Sequence, residues 1–202
     1  MAARRKPRQS RSRALVDAIL EGAFRSAGRA RRLREVSTKG IARQAGVSIG
    51  SLYQYFSDKD AVFGALIERE LSAQVDRFEA LLRDHDEDDM EQLVAAMIDE
   101  AVERYARTPA LARLFIETIR LERVPQVAVA RANIAAKFAD ALRQRGEFAE
   151  PLEPKIELLI HAIMGIFEAR VLQPDAVPTE AFENLDVELT RLAVAYIHDL
   201  SS

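Results

Sequence analysis

The sequence predicts an all-α fold of nine helices. Apolar residues recur at helical spacing along most of the 202-residue chain. The 8 glycines and 7 prolines fall mainly between these periodic runs, and the alternating stretches typical of strands are missing. Apolar residues make up 49% of the chain, which is enough for a core. We therefore expect three helices before residue 60 and six after it.

The first 12 residues, MAARRKPRQSRS, are basic and contain no apolar run. We predict a disordered arm over residues 1–12, which either reaches DNA phosphates or an adjacent minor groove, or stays solvated. The lack of an apolar stretch after these charges argues against a secretory signal. The first helix is predicted from about Arg13 to Ala27, because one face carries Leu15, Ile19 and Ala23 at helical spacing.

Residues 38–59, TKGIARQAGVSIGSLYQYFSDK, predict a helix-turn-helix. Apolar residues give the first short helix one buried face, and Gly46 can take the positive φ that ends a helix sharply. Ser48 can cap the next helix, whose apolar face is Leu52 and Phe56. In a helix-turn-helix the second helix enters the major groove of DNA. Any αα-hairpin shares this skeleton, so the outward residues have to decide between the two interpretations.

Those outward residues are small, polar or aromatic with a hydroxyl group, which suits DNA. Gly50 and Ser51 would let the helix backbone approach base edges closely. Gln54 can offer a paired donor and acceptor to adenine, and Lys39 can donate to guanine or to a phosphate. Tyr53, Tyr55 and Lys59 suit phosphate oxygens, contacts that position a protein without reading sequence. The alternative for both tyrosines is packing with a solvated hydroxyl.

The segment AGVSIGSLYQYFSDKDAVFGAL resembles the DNA-binding segment of the TetR family of transcriptional regulators, and the resemblance covers roughly residues 13–70. It implies a helix-turn-helix DNA-binding domain at 13–59 and a larger helical effector-binding and dimerisation domain at 60–202. The DNA contacts it implies are Thr38, Lys39, Ser48, Ile49, Gly50, Ser51, Tyr53, Gln54, Tyr55 and Lys59. One segment departs from the family pattern. Residues 26–37, SAGRARRLREVS, are longer and more basic than the short aromatic-containing loop usual there.

Charge supports the DNA interpretation independently. The whole chain carries a net charge of −3, but residues 1–59 hold 14 basic and four acidic residues. The remainder holds 15 basic and 28 acidic residues. This separation concentrates positive potential where phosphates would dock, and the acidic remainder should repel DNA, which favours a single docking face.

Caps and breakers place the remaining helices. The fourth is predicted to start after Ser57, whose hydroxyl would cap it, and to run to the acidic segment HDEDD at 85–89. The other five are predicted at Met90–Thr108, Ala110–Arg123, Val127–Arg145, Glu153–Leu172 and Thr179–Leu200.

The eighth predicted helix contains IELLIHAIMGIFEARVL and is apolar on nearly every face, so it should be buried on every side. It is either the central helix of a monomer or packs against its own core on one side and a second chain on the other. The family resemblance implies a homodimer through the last two helices. Its predicted interface residues are Ile156, Leu159, Ile163, Ile166, Leu185, Leu189, Leu192 and Tyr196.

The resemblance also implies a small-molecule effector between the helices of the larger domain. Aromatic and aliphatic candidates would suit a hydrophobic or amphipathic effector. Any helical core uses such residues, so packing is the alternative for each, and His161 is either a hydrogen-bonded core residue or a polar handle for the ligand. The candidates are Phe78, Met97, Tyr105, Phe115, Ile119, Phe138, His161, Met164 and Phe167.

Catalytic and metal-binding patterns are missing. The three histidines are far apart in sequence, and no HExxH, GxSxG, Walker or GxGxxG motif is present. The HDEDD segment lacks the spacing of a calcium loop. There is no cysteine, and no apolar run long enough to span a membrane. We expect a cytoplasmic, non-enzymatic regulator without a cofactor. The alternative is a DNA-binding or protein-interaction module without sequence preference or effector.

Overall fold

The computed structural model describes residues 7–30, 32–107, 109, 112–113, 116, 125–172 and 184–201. These residues form eight α-helices and one short 3-10 helix, and no strand longer than an isolated bridge occurs among them. The chain divides into two compact units. The head comprises described residues 7–70 together with 116, and the body comprises the described residues of 71–113 and 124–202. The predicted all-α class is confirmed.

Helix α1 spans Pro7–Arg29, so it begins six residues before the predicted start. Residues 7–12, which the sequence analysis assigned to a disordered arm, are therefore helical, and residues 1–6 lie outside the described residues. Proline suits the first position of a helix because its missing N–H has no partner there in any case. No second proline follows within the helix, and its first glycine is Gly22.

Helices α2 (Thr38–Ala45) and α3 (Ile49–Tyr53) follow, and the head core lies where they meet α1 and the start of α4 (Lys59–Asp84). The crossing of α1 and α2 is unusually close at Gly22. A Cβ atom added there would lie 2.7 Å from the backbone nitrogen of Ala45 and 2.8 Å from the Ile41 carbonyl oxygen. Only glycine fits this crossing, a constraint that the sequence pattern of α1 does not reveal.

The predicted cap of α4 was wrong by one residue. Because the helix begins at Lys59, the capping position belongs to Asp58, whose Oδ1 accepts a hydrogen bond from the backbone N–H of Ala61 at 2.8 Å. The Ser57 hydroxyl instead donates to Asp58 Oδ2 at 2.9 Å. The hydrogen bond from Ala61, followed by that from Ser57, lowers the pKa of Asp58.

The body contains the later part of α4 and four further helices: α5 (Met90–Arg107), α6 (Pro125–Arg143), α7 (Glu153–Leu172) and α8 (Leu185–Asp199). Helix α5 packs against α8, and α6 packs against α7. The helix predicted at Ala110–Arg123 falls largely outside the described residues, although 112, 113 and 116 are helical. The predicted start of the last helix at Thr179 also lies outside them.

Arg145 anchors the acidic segment HDEDD to the end of α6. Its guanidinium donates to the backbone carbonyls of His85, Asp86 and Asp88 at 2.7, 3.1 and 2.9 Å. The His85 ring nitrogen Nδ1 lies 2.6 Å from Asp88 Oδ2. The carbonyls of this segment thus face an arginine. No group of three or more potential metal ligands is found among the residues that the structure describes.

Candidate nucleic-acid interface

The turn between α2 and α3 is built around Gly46. This residue has φ of 69°, in the left-handed region, and its N–H donates to carbonyls in the last turn of α2. The N–H of Val47 also donates back to the Ala42 carbonyl oxygen, at 3.0 Å. These bonds satisfy the end of the first helix and turn the chain sharply, as the sequence predicts.

The start of α3 is fixed by two serine hydroxyls. Ser48 Oγ accepts a hydrogen bond from the backbone N–H of Ser51 at 2.9 Å, which makes Ser48 the N-cap. The two hydroxyl oxygens are also 2.8 Å apart. Leu52 is fully buried beneath the helix, so α3 has one inward residue and an otherwise outward surface. Ser48 therefore orients the helix as well as facing solvent.

The surface of α3 is open and rich in hydrogen-bonding groups. Tyr53 is 53% exposed and Ile49 is 40% exposed, while Gln54 and Tyr55 are also exposed. The Tyr53 hydroxyl lies 3.2 Å from Thr38 Oγ1, which joins α3 to the first residue of α2. The structure thereby brings the predicted contacts at the start of α2 next to those on α3. Lys39 is exposed beside Thr38.

Gly50 has no internal reason to be glycine. It is exposed, its φ is not positive, and an added Cβ would meet nothing closer than Ser48 Oγ at 3.8 Å. An alanine in this helical position would gain about 1 kcal/mol of helix propensity. The structure therefore shows no packing or backbone requirement for glycine at position 50, unlike Gly22, which is required by packing.

Lys59 has a structural contact as well as its predicted phosphate role. Its Nζ donates to the backbone carbonyl of Arg34 at 3.2 Å. An ammonium group has three donors, so this bond leaves capacity for a phosphate oxygen. Arg25 was not predicted from the sequence; its guanidinium pairs with Glu21 at 3.3 Å and donates to the Gln44 carbonyl at 2.7 Å. Arg25 therefore clamps α1 to the end of α2.

Three of the predicted effector residues meet in the body. The rings of Tyr105 and Phe167 are stacked with centroids 4.1 Å apart, and the Tyr105 hydroxyl donates to Met164 Sδ at 3.5 Å. Burial raises the pKa of Tyr105 to about 12. Phe138 is buried in the same body core, with Phe78 and Met97 packed against it.

The other effector candidates lie elsewhere. His161 is exposed, and its Nδ1 lies 2.7 Å from the Glu157 carbonyl oxygen one turn earlier. Phe115 and Ile119 lie outside the described residues. A groove of about 720 Å³ between α5 and α8 is lined by ten other residues, among them Glu91, Asp186 and Arg191. None of the predicted effector residues lines that groove.

The predicted dimer residues divide into two groups. Ile156, Leu159 and Leu189 are buried in the core of the single chain, whereas Leu192 is 49% exposed. Ile163, Ile166, Leu185 and Tyr196 are half-buried. Leu158 on α7, which was not among the predictions, is 62% exposed. The exposed large apolar side chains of these two helices thus include Leu192, which was predicted, and Leu158, which was not.

None of the helices within the described ranges is long and apolar enough to cross a membrane. Residues 19–66 match the family model described as bacterial regulatory proteins of the tetR family. This match includes the C-terminal part of α1, all of α2 and α3, and the start of α4. No curated protein sequence matches the chain.

Solved structures of regulators share the fold over nearly the whole chain. A TetR transcriptional regulator from Rhodococcus sp. RHA1 is 22% identical, with a TM-score of 0.67, and the match covers 95% of this chain and 100% of that one. The fatty acid degradation regulator FadR from Bacillus halodurans is 16% identical with a TM-score of 0.70, covering 94% and 95%. The dihydroxyacetone kinase operon activator DhaS is 12% identical with a TM-score of 0.60, covering 93% and 98%.

Proposed function

We propose that this chain, whose residues 19–66 match the tetR-family model of bacterial regulatory proteins, is a TetR-family repressor that binds a palindromic operator as a homodimer. A small hydrophobic or amphipathic effector would release it from the DNA. The observation that carries the DNA-binding part is Gly50, an exposed glycine that neither backbone geometry nor packing requires. We place the protein in the cytoplasm with the DNA it regulates, in a non-enzymatic role without cofactor or metal.

Specific reading of the operator is assigned to the exposed side chains of α3 and the start of α2. Gln54 and Lys39 carry the donors and acceptors that distinguish base edges in the major groove. Tyr53 and Lys59 carry groups suited to phosphate oxygens, which would fix the orientation of α3. The hydrogen bond between Tyr53 and Thr38 supports this assignment, because it holds the two predicted contact regions in one arrangement.

The proposed homodimer uses the exposed face of α7 and α8. Leu158, Ala162 and Gly165 lie on the exposed side of α7, and a Cβ added to Gly165 would meet nothing within 4 Å. Leu192 and Val187 provide exposed apolar surface on α8. Large side chains beside small ones would let a second chain pack closely, and a two-fold dimer presents two copies of α3 to two half-sites.

The proposed effector site involves the stacked pair Tyr105 and Phe167 with Met164. Their apolar surface suits an apolar ligand, and the Tyr105 hydroxyl offers one polar group whose present acceptor is only a thioether sulfur. A ligand oxygen would be a stronger acceptor than Met164 Sδ. This difference supports the cluster as the place where an amphipathic effector would compete with an internal contact.

Selection from random DNA tests the proposal first. Purified full-length protein is mixed with a pool of random duplexes at near-physiological salt, and the bound fraction is sequenced. We expect enrichment of a palindrome whose half-sites are about one helical turn, 34–36 Å, or a multiple of it apart. Binding without an enriched motif would overturn specific regulation and favour a module that holds phosphates only.

The direction of regulation needs its own measurement, because the fold is shared with a protein described as an operon activator. A reporter gene placed behind the selected operator is transcribed in cells with and without the protein. Repression predicts lower reporter output with the protein present. Higher output would overturn repression and leave operator binding intact.

A further inference from the structure

The basic loop, residues 29–35, has the sequence RARRLRE, with four arginines and one glutamate. The proposed reading of the operator by α2 and α3 uses none of these residues. Arg31 lies outside the described residues, and the other three arginines are described and exposed. Such a dense cluster of like charge repels itself, so an anionic partner would stabilise it.

The described residues of the basic loop on either side of Arg31 form backbone hydrogen bonds. The N–H of Ala30 donates to the Ser26 carbonyl at 3.2 Å, and Leu33–Glu35 form the 3-10 helix. The next residue, Val36, is only 7% exposed and donates to the Leu33 carbonyl at 3.0 Å. Because the side chain directly after the loop is buried, the segment that carries Arg32 and Arg34 is fixed to the head.

One hydrogen bond and a short stretch of chain place the basic loop beside the proposed DNA-binding face. The carbonyl of Arg34 accepts from Lys59 Nζ at 3.2 Å. The chain then leads through the α2 cap Ser37 to Thr38, whose Oγ1 lies 3.2 Å from the Tyr53 hydroxyl. Lys59 and Tyr53 are both assigned to phosphates. The loop therefore contacts Lys59 through a backbone carbonyl, which leaves its arginine side chains out of that contact, and it leads directly into the residue that contacts Tyr53.

The described arginines of the loop differ in their partners from Arg25, the arginine that joins α1 to α2. Arg25 is held by Glu21 and by the Gln44 carbonyl. In contrast, Arg29, Arg32 and Arg34 form no ion pair with a carboxylate within the part of the chain that the structure describes. Guanidinium groups bind phosphate oxygens through two parallel hydrogen bonds, which suits them to a sugar-phosphate backbone.

We propose that the basic loop is a second phosphate-binding element, in which Arg32 and Arg34 hold the DNA backbone beside the groove that α3 enters. This rests on the proposed function, because it assumes that α3 docks on duplex DNA. The loop would add affinity for every sequence and no sequence preference, since phosphates are the same at every base pair.

The test compares the full-length protein with the variant Arg32→Ala/Arg34→Ala on the selected operator and on a scrambled duplex. Affinity is measured from about 50 to 200 mM salt, where log K falls with log salt, and each lost phosphate contact makes this negative slope shallower by about 0.9. The loss of two arginines in each subunit of a dimer should make the slope shallower by about 3.6. The ratio of operator to scrambled affinity should stay unchanged.

Two further variants distinguish a phosphate contact of the loop arginines from a general effect of the chain's charge. Arg77→Ala/Arg83→Ala removes the same charge from exposed positions in the body and should leave the slope unchanged. Arg32→Lys/Arg34→Lys keeps the charge and should retain most of the wild-type slope. Circular dichroism on heating should give every variant the wild-type unfolding midpoint.

An unchanged slope in the alanine variant, with wild-type operator preference intact, would overturn the loop assignment and leave the proposed function standing. The loop assignment also fails if the body variant makes the salt dependence as shallow as the loop alanine variant does. It fails as well if the lysine variant makes the salt dependence as shallow as the alanine variant does. Wild-type protein that binds no duplex overturns both the assignment and the proposed function.

Discussion

Helices α3 and α7 carry the two main functional predictions, and they differ in how their sequence determines which side chains face outward. Helix α3 has five residues and one buried side chain, Leu52. Helix α7 has 20 residues, of which Ile156, Leu159 and Phe167 are buried and Leu158 is 62% exposed. In α3 the buried residue is apolar and most of the outward residues are small or polar, so the sequence itself distinguishes the two faces. In α7 both faces are apolar, so composition does not distinguish them.

This difference shows when neighbouring residues in the sequence are enough to predict the ends and the buried face of a helix. The caps Ser37 and Ser48 and the left-handed Gly46 fix α2 and α3 within a dozen residues of sequence. The buried face of α7 is instead chosen by its packing against α6 and α8, which come from other parts of the chain. Short-range hydrogen bonds can be inferred from neighbouring residues, whereas the packing of an all-apolar helix depends on its tertiary partners.

The largest expected effect distinguishes the two faces of α7. Ile156→Ala removes a fully buried side chain and should lower the free energy of unfolding by about 2–5 kcal/mol, because a cavity is left in the body core. Leu158→Ala truncates an exposed side chain and should change the stability of the single chain by no more than about 0.5 kcal/mol. Urea denaturation at several protein concentrations measures both.

The same pair of variants tests the proposed dimer surface. Leu158→Ala should raise the dissociation constant of the homodimer in analytical ultracentrifugation, because it removes apolar surface from the proposed contact. Stability that falls equally for both variants, at every protein concentration, would mean that Leu158 is also core. The contrast between the faces of α7 would then disappear.

Comparing the predicted and the observed positions of individual residues shows which features can be inferred from sequence alone. The turn at Gly46 and the cap at Ser48 were predicted because each uses a residue type suited to one local conformation. The close crossing at Gly22 was not predicted, because its reason is Ala45, 23 positions away in the chain. The α4 cap was misplaced because Ser57 and Asp58 are both good capping residues, and only the observed helix start distinguishes them.

The body site was the least predictable part for the same reason. Tyr105 and Met164 are 59 positions apart, and no local pattern joins them. His161 was singled out as a polar group in an apolar helix, but the structure exposes it and places its ring beside the carbonyl of Glu157. Sequence identified the aromatic and sulfur-containing candidates, and only packing showed which of them meet.

Two glycines of the head should respond to alanine in opposite ways. Gly22→Ala places a methyl group 2.7 Å from the Ala45 nitrogen and should lower the free energy of unfolding by about 1–3 kcal/mol through overpacking. Gly50→Ala meets no atom closer than 3.8 Å and should leave stability unchanged or raise it by up to about 1 kcal/mol.

Operator binding provides a further test of Gly50. Gly50→Ala should weaken binding to the selected operator while the protein stays folded, because the added methyl group lies where DNA is proposed to approach. Fluorescence anisotropy measures the affinity, and thermal unfolding supplies the control. Full operator affinity in the Gly50→Ala variant would remove the observation on which the DNA interface chiefly rests.

Substitutions in the head should also distinguish residues that read bases from residues that bind phosphates. Gln54→Ala should reduce the preference for operator over scrambled duplex by about 1–3 kcal/mol, because it removes paired contacts to a base edge. Lys59→Ala should weaken binding to both duplexes alike and flatten the salt dependence. If Gln54→Ala leaves the preference intact, α3 does not read bases through this residue.

The smallest expected effect concerns acid stability in the body. Hydrogen bonds from Arg143, at 2.9 and 3.0 Å, are the main reason that the pKa of Glu150 lies below its ordinary 4.5. The pKa of Glu153 is lowered first by its own backbone N–H and then by Arg143. A carboxyl group whose pKa is lower in the folded chain adds stability that is fully present above about pH 4.5 and is lost as the pH falls through the folded pKa.

Arg143→Met should therefore lower the thermal unfolding midpoint at pH 7, and the difference from wild type should shrink as the pH falls below 4.5. Both carboxyl groups are solvated, so the shift should be small and should shrink further in high salt. Arg191→Met is the matched control, because Arg191 pairs with Glu188 at 3.1 Å while being 71% exposed. It should change the midpoint little at any pH. A difference that stays constant on acidification would show that Arg143 stabilises the α6–α7 link by packing and not through its carboxylate partners.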